Sequence, residues 1–517
     1  MPTDGRRRAV LLGTVLLVVL SLALAFGFQG SRGLYETTEG RYAESAREML
    51  ETGDWLVPRL DYEPHWSKPP LTYWALAGGV ALLGENEWGV RLAPALAYLV
   101  LVAAVHGLGT AMWGRRTGLA SALVYATSPF AVVAANSVST DPFLAMWEAL
   151  TALAYWRALR WSAVGGYDAR AYSRRWVVLL WLFAGLSFLT KGPPGLLTLL
   201  VIFVYHGWRT ATHREAPALT SALGIPLFAL VAFGWFLLVG ALHEGLIPQL
   251  ISEEVVGRVA DPGFNRNPQW YGPFVILMLP LLLGLGPWLA YWPRAWRRSG
   301  EWAGGRGRLR EFVTREPVFF CLLWAIVPLA VLFTSRSRLP LYVLPFVPAL
   351  ALLTGRAVAA RVATARRWRG AIVFAVVAGL IMLVVKGASV WMDSRSDMRP
   401  VYEVVRSSGC VGGDGAGTVY AYGLQKEYGL MFYLGGNMVR VSADPIEDYA
   451  AMGASELIDL LSQGPPPGDA DAADAAFGTR CVVTRTNESA LPKQMTDAGI
   501  SFERREVGRY AVLALAP

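Results

Sequence analysis

The sequence has little charge, few cysteines and few histidines for its 517 residues. Charged residues make up only 17%, while hydrophobic residues make up 54% and the mean hydropathy is +0.38. This balance excludes an ordinary soluble globular protein. Three cysteines exclude a disulfide-rich scaffold, and five histidines without paired His or Cys spacing argue against a structural zinc site. We therefore expect a membrane protein without a metal.

The net charge of +8 and the pI near 9.4 do not predict a nucleic-acid partner. Much of the Lys and Arg lies in short segments between apolar runs, as the positive-inside rule predicts for cytoplasmic loops. The basic GRRR at 5–8 precedes an apolar run at 9–28 that is too long for a signal-peptide core. We expect an uncleaved first span with its arginines in the cytoplasm.

The apolar pattern predicts an all-α polytopic membrane bundle of about twelve spans. An inside N-terminus and an outside C-terminal region need an odd number of crossings, so one segment between about residues 70 and 113 must be split, re-entrant or miscounted. Residues 1–390 form the predicted transmembrane domain, with a first extracytoplasmic loop at 29–69. The predicted spans lie near 9–28, 70–84, 90–110, 118–136, 143–160, 176–190, 194–206, 218–242, 271–297, 317–334, 342–357 and 371–390.

Residues 391–517 change character, because Gly, Asp and Ser rise and spans disappear. We predict a small soluble extracytoplasmic α/β domain with strands at VYAYG, MFYLGGNMVRV, RCVVTR and YAVLALA and a helix at IEDYAAMGASELIDLLSQ. Cys410 and Cys481 both fall here. One disulfide between them is compatible with an extracytoplasmic location.

The stretch TTEGRYAESAREMLETGDW follows the first span and therefore faces the extracytoplasmic side. From Arg41 onward its spacing predicts a helix with charged and apolar residues on different faces, the pattern of a helix lying in the membrane interface. Its simplest interpretation is a juxtamembrane helix with solvated charges. The charged residues are Glu44, Arg47, Glu48 and Glu51.

Further ionisable residues lie at or near the ends of apolar segments. Each has an ordinary structural role open to it, such as snorkelling, helix capping or pairing with a helix C-terminus. Taken together they suggest chemistry on a membrane-anchored phosphate, in which cations hold the leaving phosphate and a carboxylate accepts a proton from the nucleophile. They are Lys68, Asp141, Lys191, Arg258, Arg336 and Arg338.

The order and spacing of TTEGRYAESAREMLETGDWLVPRL, WSKPPLTYW, STDPFLAMW, LTKGP and RLPLYVLPFVPALALL resemble a known family. Over about residues 9–390 the chain resembles the integral-membrane glycosyltransferases of the aminoarabinose-transferase and protein-mannosyltransferase (GT-C) superfamily. The resemblance implies a bundle with an odd number of helices near thirteen. It also implies inverting transfer of a sugar from a polyprenyl phosphate, outside the cytoplasm, to lipid A, protein or another glycan.

The resemblance also implies residue roles. The family's first-loop Asp-Glu pair falls on Thr38 and Glu39, so the first carboxylate is missing. Either Glu39 is the general base, with Asp141 orienting it, or the base comes from elsewhere in the chain. The positions that the family devotes to the carrier phosphate and its surroundings fall on Arg41, Lys68, Lys191, Arg258 and Tyr342. Arg336 and Arg338 are expected to support them.

Two departures from the family bear on metal binding. Where the family often has an acid before the lysine of its KPP motif, this chain has Ser67, and where it has a late-loop histidine, this chain has Asn265. We therefore expect no metal, although His65 lies close in sequence. No Gly-rich phosphate loop lies between a strand and a helix, so the expected donor is lipid-linked and no nucleotide cofactor is predicted.

Two other function classes remain open. An inactive relative that binds lipid or acts as a scaffold is compatible with the missing carboxylate at Thr38. A lipid transporter or flippase would favour inverted repeats and midplane broken helices, but the ionisable residues cluster at one membrane face. The expected location is the cytoplasmic membrane of a bacterium, with the active site on the extracytoplasmic side. The sugar and the acceptor class, whether lipid, protein or glycan, stay open.

Overall fold

The computed structural model describes residues 4–164, 167–252, 267–291, 316–361, 365–392, 394–411, 418–443, 450–462 and 480–515. Long apolar stretches form helices because a helix satisfies its own backbone hydrogen bonds without water. The helices up to residue 388 are α1 (Asp4–Phe26), α2 (Thr38–Thr52), α3 (Leu71–Leu83), α4 (Glu87–Trp113), α5 (Arg115–Ala126), α6 (Pro129–Ala135), α7 (Asp141–Ser162), α8 (Tyr167–Lys191), α9 (Leu197–Ala211), α10 (Gly224–Leu242), α11 (Leu246–Leu250), α12 (Leu279–Leu285), α13 (Glu316–Thr334), α14 (Val347–Arg361) and α15 (Ala365–Ala388).

Six helical segments in the described residues are long and apolar enough to cross a membrane, or seven if one bent pair counts as a single span. The bent pair is α5 and α6, which meet at 65°. The helix α3 has only 13 residues, about 20 Å, which is shorter than a bilayer core. The predicted total of twelve or thirteen spans stays a prediction.

Helices pack closely where small residues face each other. A Cβ added at Gly355 of α14 would lie 2.4 Å from Ser121 Cα of α5, and one added at Gly109 of α4 would lie 2.8 Å from Gly118 Cα. Without a hydrophobic force between helices in lipid, such close backbone approach is a main source of attraction. These contacts hold α4, α5 and α14 together.

By internal contacts the chain divides into two compact units. The first contains residues 1–29, 65–75 and 91–387 and is called the helical unit below. The second contains residues 30–64, 76–90 and 388–517 and is called the loop–sheet unit. The loop–sheet unit thus joins most of the first loop to the C-terminal residues, whereas the sequence predicted a boundary at 390/391, which stays a prediction.

The loop–sheet unit contains a six-stranded sheet in the order β5-β4-β3-β6-β8-β7. The strands β5, β4, β3 and β6 are parallel to one another, and β8 is antiparallel to both of its neighbours, β6 and β7. Apolar side chains cover both faces of this sheet. Its elements are α16 (Arg399–Ser407), β3 (Val419–Tyr422), α17 (Tyr428–Tyr433), β4 (Met438–Ser442), β5 (Met452–Gly453), α18 (Ala454–Ser462), β6 (Cys481–Arg485), α19 (Ala490–Asp497), β7 (Phe502–Val507) and β8 (Tyr510–Leu515).

The predicted α/β character of this region is confirmed, with two corrections. The stretch MFYLGGNMVRV is not one strand, because its first residues belong to α17 and only Met438–Ser442 pairs in the sheet. A helix was predicted at 446–463, and within the described part of this segment the helix begins only at Ala454. A disulfide joins Cys410 to Cys481, with 5.7 Å between their Cα atoms.

The first loop joins the C-terminal residues within the loop–sheet unit. Tyr35 pairs with Asp397, the Glu36 amide donates to the Ser396 carbonyl at 2.8 Å, and the hairpin β1 (Arg59–Leu60) and β2 (Glu63–Pro64) follows α2. A Cβ at Gly40 would lie 2.3 Å from the Gly429 amide nitrogen, so glycine lets α2 approach α17 closely. The predicted interfacial helix therefore packs against protein.

Candidate functional site

Three of the predicted site residues meet at the beginning of α7. The Lys191 Nζ lies 2.5 Å from Asp141 Oδ1, and it also lies 4.2 Å from the centre of the Tyr342 ring. The side chains of Asp141 and Lys191 are only 8% and 11% exposed. Burial strengthens the attraction between this cation and an approaching anion, while the Asp141 carboxylate offsets part of that attraction.

Local structure explains why these residues meet. Asp141 opens α7, with Pro142 next to it at a position where the missing N–H costs nothing. Lys191 closes α8, and Gly192 then takes the left-handed φ of +73° that turns the chain away. Tyr342 lies in a 3-10 segment, Pro340–Phe346, that leads into α14. The site is therefore built from helix ends, within the helical unit.

Lys68 lies in the same unit and is half-buried. Its Nζ donates to the Ser67 carbonyl, while the Ser67 hydroxyl lies 2.7 Å from His65 Nε2. His65 is thus engaged by a hydroxyl, and among the described residues no three His, Cys, Asp or Glu side chains form a metal-binding group. The absence of a metal site stays a prediction.

The two supporting arginines, Arg336 and Arg338, differ in their burial and in their contacts. Arg338 is 5% exposed, and its guanidinium donates to the carbonyls of Asn267 at 2.9 Å, Gln269 at 3.3 Å and Phe333 at 3.2 Å. Arg336 is exposed. Arg338 therefore fixes the backbone of the 267–269 segment, which is a supporting role.

Arg258, a predicted site residue, lies outside the described residues, as does Asn265.

Glu39 is 5% exposed and opens the first turn of α2 in the loop–sheet unit. Arg32 donates to both of its carboxylate oxygens, at 2.5 Å and 2.8 Å, and the Tyr35 amide donates to Oε2 at 3.1 Å. This bidentate pair stabilises Glu39 as a carboxylate, the form that a general base needs. Arg32 also competes for that negative charge. Sequence reasoning missed Arg32 because it lies before the recognised motif.

Arg41, two residues after Glu39, is half-buried and lies 5.5 Å from the ring of Tyr42. Its Nε is buried and makes no hydrogen bond with any residue that the structure describes. A buried guanidinium nitrogen without a partner is costly, and a phosphate oxygen is a geometrically suitable acceptor for it.

Glu36 is a further buried acid that sequence reasoning missed. Its Oε1 accepts a hydrogen bond from the Gly429 amide, in the first turn of α17, and Oε2 is buried without a hydrogen-bond partner among the described residues. Burial raises the pKa of Glu36 to about 8, although the Gly429 bond acts in the opposite direction. Glu36 therefore links the first loop to the C-terminal residues.

Three of the four charged residues expected to be solvated along α2 are buried, which corrects the expectation from the sequence, while Glu51 is exposed as expected. Glu44, Arg47 and Glu48 are 0%, 2% and 0% exposed, and Arg47 donates to Glu44 at 2.7 Å and 3.0 Å. The amides of Asp61 and Tyr62 donate to Glu48 at 2.7 Å and 3.0 Å. Burial, followed by the nearby Glu44 charge, raises the pKa of Glu48 to about 8. Paired charges replace the solvent here because the hairpin covers them.

The chain matches a family model described as dolichyl-phosphate-mannose-protein mannosyltransferase over residues 67–233. It is 31% identical over 362 residues to an undecaprenyl phosphate-alpha-4-amino-4-deoxy-L-arabinose arabinosyl transferase of Pseudomonas fluorescens strain Pf-5, covering 67% of this chain and 60% of the relative. It is 33% identical over 356 residues to the enzyme of that name from Pseudomonas aeruginosa strain LESB58, covering 66% and 59%. The matches thus span about 60% of the relatives' length.

Solved structures show the same fold. The chain is similar to ArnT from Cupriavidus metallidurans bound to undecaprenyl phosphate, with a TM-score of 0.74, 21% identity and 97% coverage of both chains. It is also similar to the Archaeoglobus fulgidus oligosaccharyltransferase, with a TM-score of 0.55, 12% identity and coverage of 98% and 74%. The predicted fold class, a membrane helix bundle with a small C-terminal sheet region, is confirmed.

Proposed function

We propose, from the premise that this integral membrane protein belongs to the superfamily of the aminoarabinose transferases and protein mannosyltransferases, that it transfers a sugar from a polyprenyl-phosphate carrier to an extracytoplasmic acceptor. The relatives that carry the premise are named for an undecaprenyl-phosphate-linked sugar. The reaction assigned to this chain inverts the anomeric carbon. The acceptor is a lipid A-like lipid, a protein or a glycan.

The observation that carries the proposal is the placement of Lys191. Its ammonium is largely buried between Asp141 and Tyr342, at the end of apolar helices. A carrier tail is apolar and stays in lipid, so a phosphate beside the tail meets a cation at such a helix end. Lys191 then stabilises the charge that grows on the departing phosphate.

The other residues receive roles that follow from their contacts and their place in the sequence. Arg41, Lys68 and Arg258 are assigned to the carrier phosphate, and Tyr342 holds Lys191. Asp141 was expected to orient Glu39, and its contact with Lys191 supports orientation of that cation instead. Arg338 supports the site through the backbone it binds, and Arg336 remains a proposed support.

We assign the general base to Glu39. It removes a proton from an acceptor hydroxyl or phosphate, the resulting oxygen attacks the sugar carbon, and the bond from that carbon to the carrier phosphate oxygen breaks. The pair with Arg32 favours the carboxylate form of Glu39, and for the same reason it opposes transfer of the proton to Glu39.

A second candidate is an inactive relative that only binds the carrier. Two observations favour it: Thr38 stands where the family's first carboxylate falls, and Glu39 is engaged by Arg32. Such a protein would keep the phosphate-binding cations without a competent base. It would bind the carrier and transfer nothing.

The proposed location is the cytoplasmic membrane of a bacterium, with the first loop and the C-terminal region on the extracytoplasmic side. The Cys410–Cys481 disulfide supports this side, because disulfides persist in oxidising compartments.

The test is a donor comparison with purified protein in nanodiscs. Labelled polyprenyl-phosphate sugars and the matching nucleotide sugars are each supplied with an extract of bacterial envelopes as the acceptor source. We expect labelled product only from the lipid-linked donors, with mass spectrometry identifying the acceptor class and NMR showing an inverted anomeric centre. Carrier binding without any product would favour the inactive relative. Use of a nucleotide sugar would contradict the proposal.

A further inference from the structure

The helix α7 carries a second buried carboxyl group that the proposed reaction does not use. Glu148 lies seven residues after Asp141, which is two helical turns along the same face and about 10 Å deeper. It is only 1% exposed. A carboxyl group at such a place in a membrane protein is costly unless it serves a purpose.

Glu148 is bound to the beginning of the next helix but one. The Thr198 hydroxyl donates to Glu148 Oε2 at 3.0 Å. Thr198 is the second residue of α9. Glu148 thus holds the beginning of α9 from a neighbouring helix.

The chain between α8 and α9 is short and tightly folded. It runs from Lys191 through Gly192 and the 3-10 turn Pro193–Leu196 to α9. A Cβ at Gly195 would lie 2.3 Å from the Ser187 carbonyl oxygen, so the turn rests directly on the backbone of α8. A shift at one end of such a turn is passed on to the other.

Both ends of this turn are therefore fastened to α7. Lys191, at its start, is bound by Asp141, and Thr198, at its end, is bound by Glu148. Two contacts define the orientation of the turn, whereas one contact would let it pivot.

We propose that Glu148 is a positioning residue for Lys191, which through Thr198 fixes the turn that carries the phosphate-binding ammonium group. This inference rests on the proposed function, because it assigns the effect to carrier binding. Glu148 touches no substrate in this account. Displacement of a binding group by a fraction of an ångström is enough to lower affinity and rate.

The test measures the dissociation constant of a polyprenyl phosphate without a sugar, together with the thermal midpoint, in detergent. Thr198→Val removes the hydroxyl at nearly constant shape and should weaken binding about tenfold, because the turn that carries Lys191 is then held less precisely. Glu148→Leu should have at least that effect. Thr198→Ser keeps the donor and should restore binding. Thr151→Val is the matched control, since Thr151 is buried on α7 but donates only to Trp147 of its own helix.

Lys191→Met, measured beside them, separates the possible failures. If Lys191→Met weakens binding but Thr198→Val and Glu148→Leu, with unchanged thermal midpoints, bind like wild type, the role of Glu148 is overturned and the proposed function stands. If Lys191→Met itself binds like wild type, the phosphate role of Lys191 is wrong, and the inference falls with it. Equal loss in Thr151→Val and Thr198→Val would show a general packing effect and would also overturn it.

Discussion

The helices α2 and α7 both contain buried acidic residues, but these residues pair with different kinds of partner. Each has an acidic residue in its first turn, Glu39 or Asp141, that is 5% exposed and paired with a cation. The partner of Glu39 is Arg32, seven residues away, whereas the partner of Asp141 is Lys191, fifty residues away. The first pair is local to its loop. The second joins two helices and places a cation at a helix end.

A second carboxyl group lies further along each helix and shows the same contrast. Glu48 of α2 binds the amides of the adjacent hairpin, at Asp61 and Tyr62. Glu148 of α7 binds Thr198 of α9, a helix that is distant in sequence but packs beside it. Acidic residues on α2 therefore stabilise the loop around them, and those on α7 set the position of other helices. Glu39, the proposed base, is the exception, because it is the one acidic residue of α2 to which we assign a chemical role.

The largest effect is expected from Glu39→Gln. The change removes the base but little volume, so we expect turnover to fall about 1,000-fold while carrier affinity changes less than about twofold. Arg32→Gln is the matched comparison, because it breaks the same pair from the other side. Equal losses of turnover in both variants would mean that Glu39 serves only the ion pair.

The next largest effect is expected from Lys191→Met. Loss of one charged donor to the carrier phosphate should weaken carrier binding and lower kcat/KM by about 100-fold. Lys493→Met, at an exposed position on α19, controls for the loss of a positive charge. Unchanged kinetics in Lys191→Met would reduce the contact with Asp141 to a structural pair.

Asp141→Asn should lower turnover by about tenfold, since it keeps the shape but loses the charge that orients Lys191. Asp141 also begins α7, where its amide lies 3.4 Å from the Ser139 hydroxyl. Ser139→Ala therefore tests the helix start alone. If it reproduces the loss seen in Asp141→Asn, the role of Asp141 is structural, as on α2.

The smallest effect is a pH dependence of stability. Glu48 has a pKa of about 8 in the folded protein and an ordinary value near 4.5 when unfolded, so the folded state binds the extra proton between these values. Stability should therefore fall as the pH rises from about 5 to about 8 and level off above that. Thermal midpoints of wild type and Glu48→Gln across this range check it, with a flatter profile expected for the variant. Identical profiles would contradict the assignment.

The sequence predicted most helix positions, because long apolar runs leave a membrane chain few alternatives. The single span predicted at 118–136 is instead the pair α5 and α6, bent by 65°. It also identified Asp141, Lys191 and Tyr342, which the structure brings together. Glu148 was missed although an acid inside the predicted span at 143–160 was itself a signal.

The burial of charge on α2 could not be predicted from local pattern. An amphipathic helix with charged faces looks the same whether water or a folded hairpin covers those faces. The covering residues, around 59–62 and 428–440, lie in a hairpin and in a distant part of the sequence. Pairing partners such as Arg32 for Glu39 depend on the path of the loop, which spacing alone does not give.

One measurement tests the central claim most directly. Wild type and Glu39→Gln, reconstituted in the same nanodiscs, are each assayed for binding of a polyprenyl phosphate and for transfer of labelled sugar from that carrier to acceptors in an envelope extract. The account predicts equal binding by both proteins and transfer by wild type alone. Equal transfer by both proteins would contradict the role of Glu39, and binding without transfer by wild type would contradict the glycosyltransferase assignment itself.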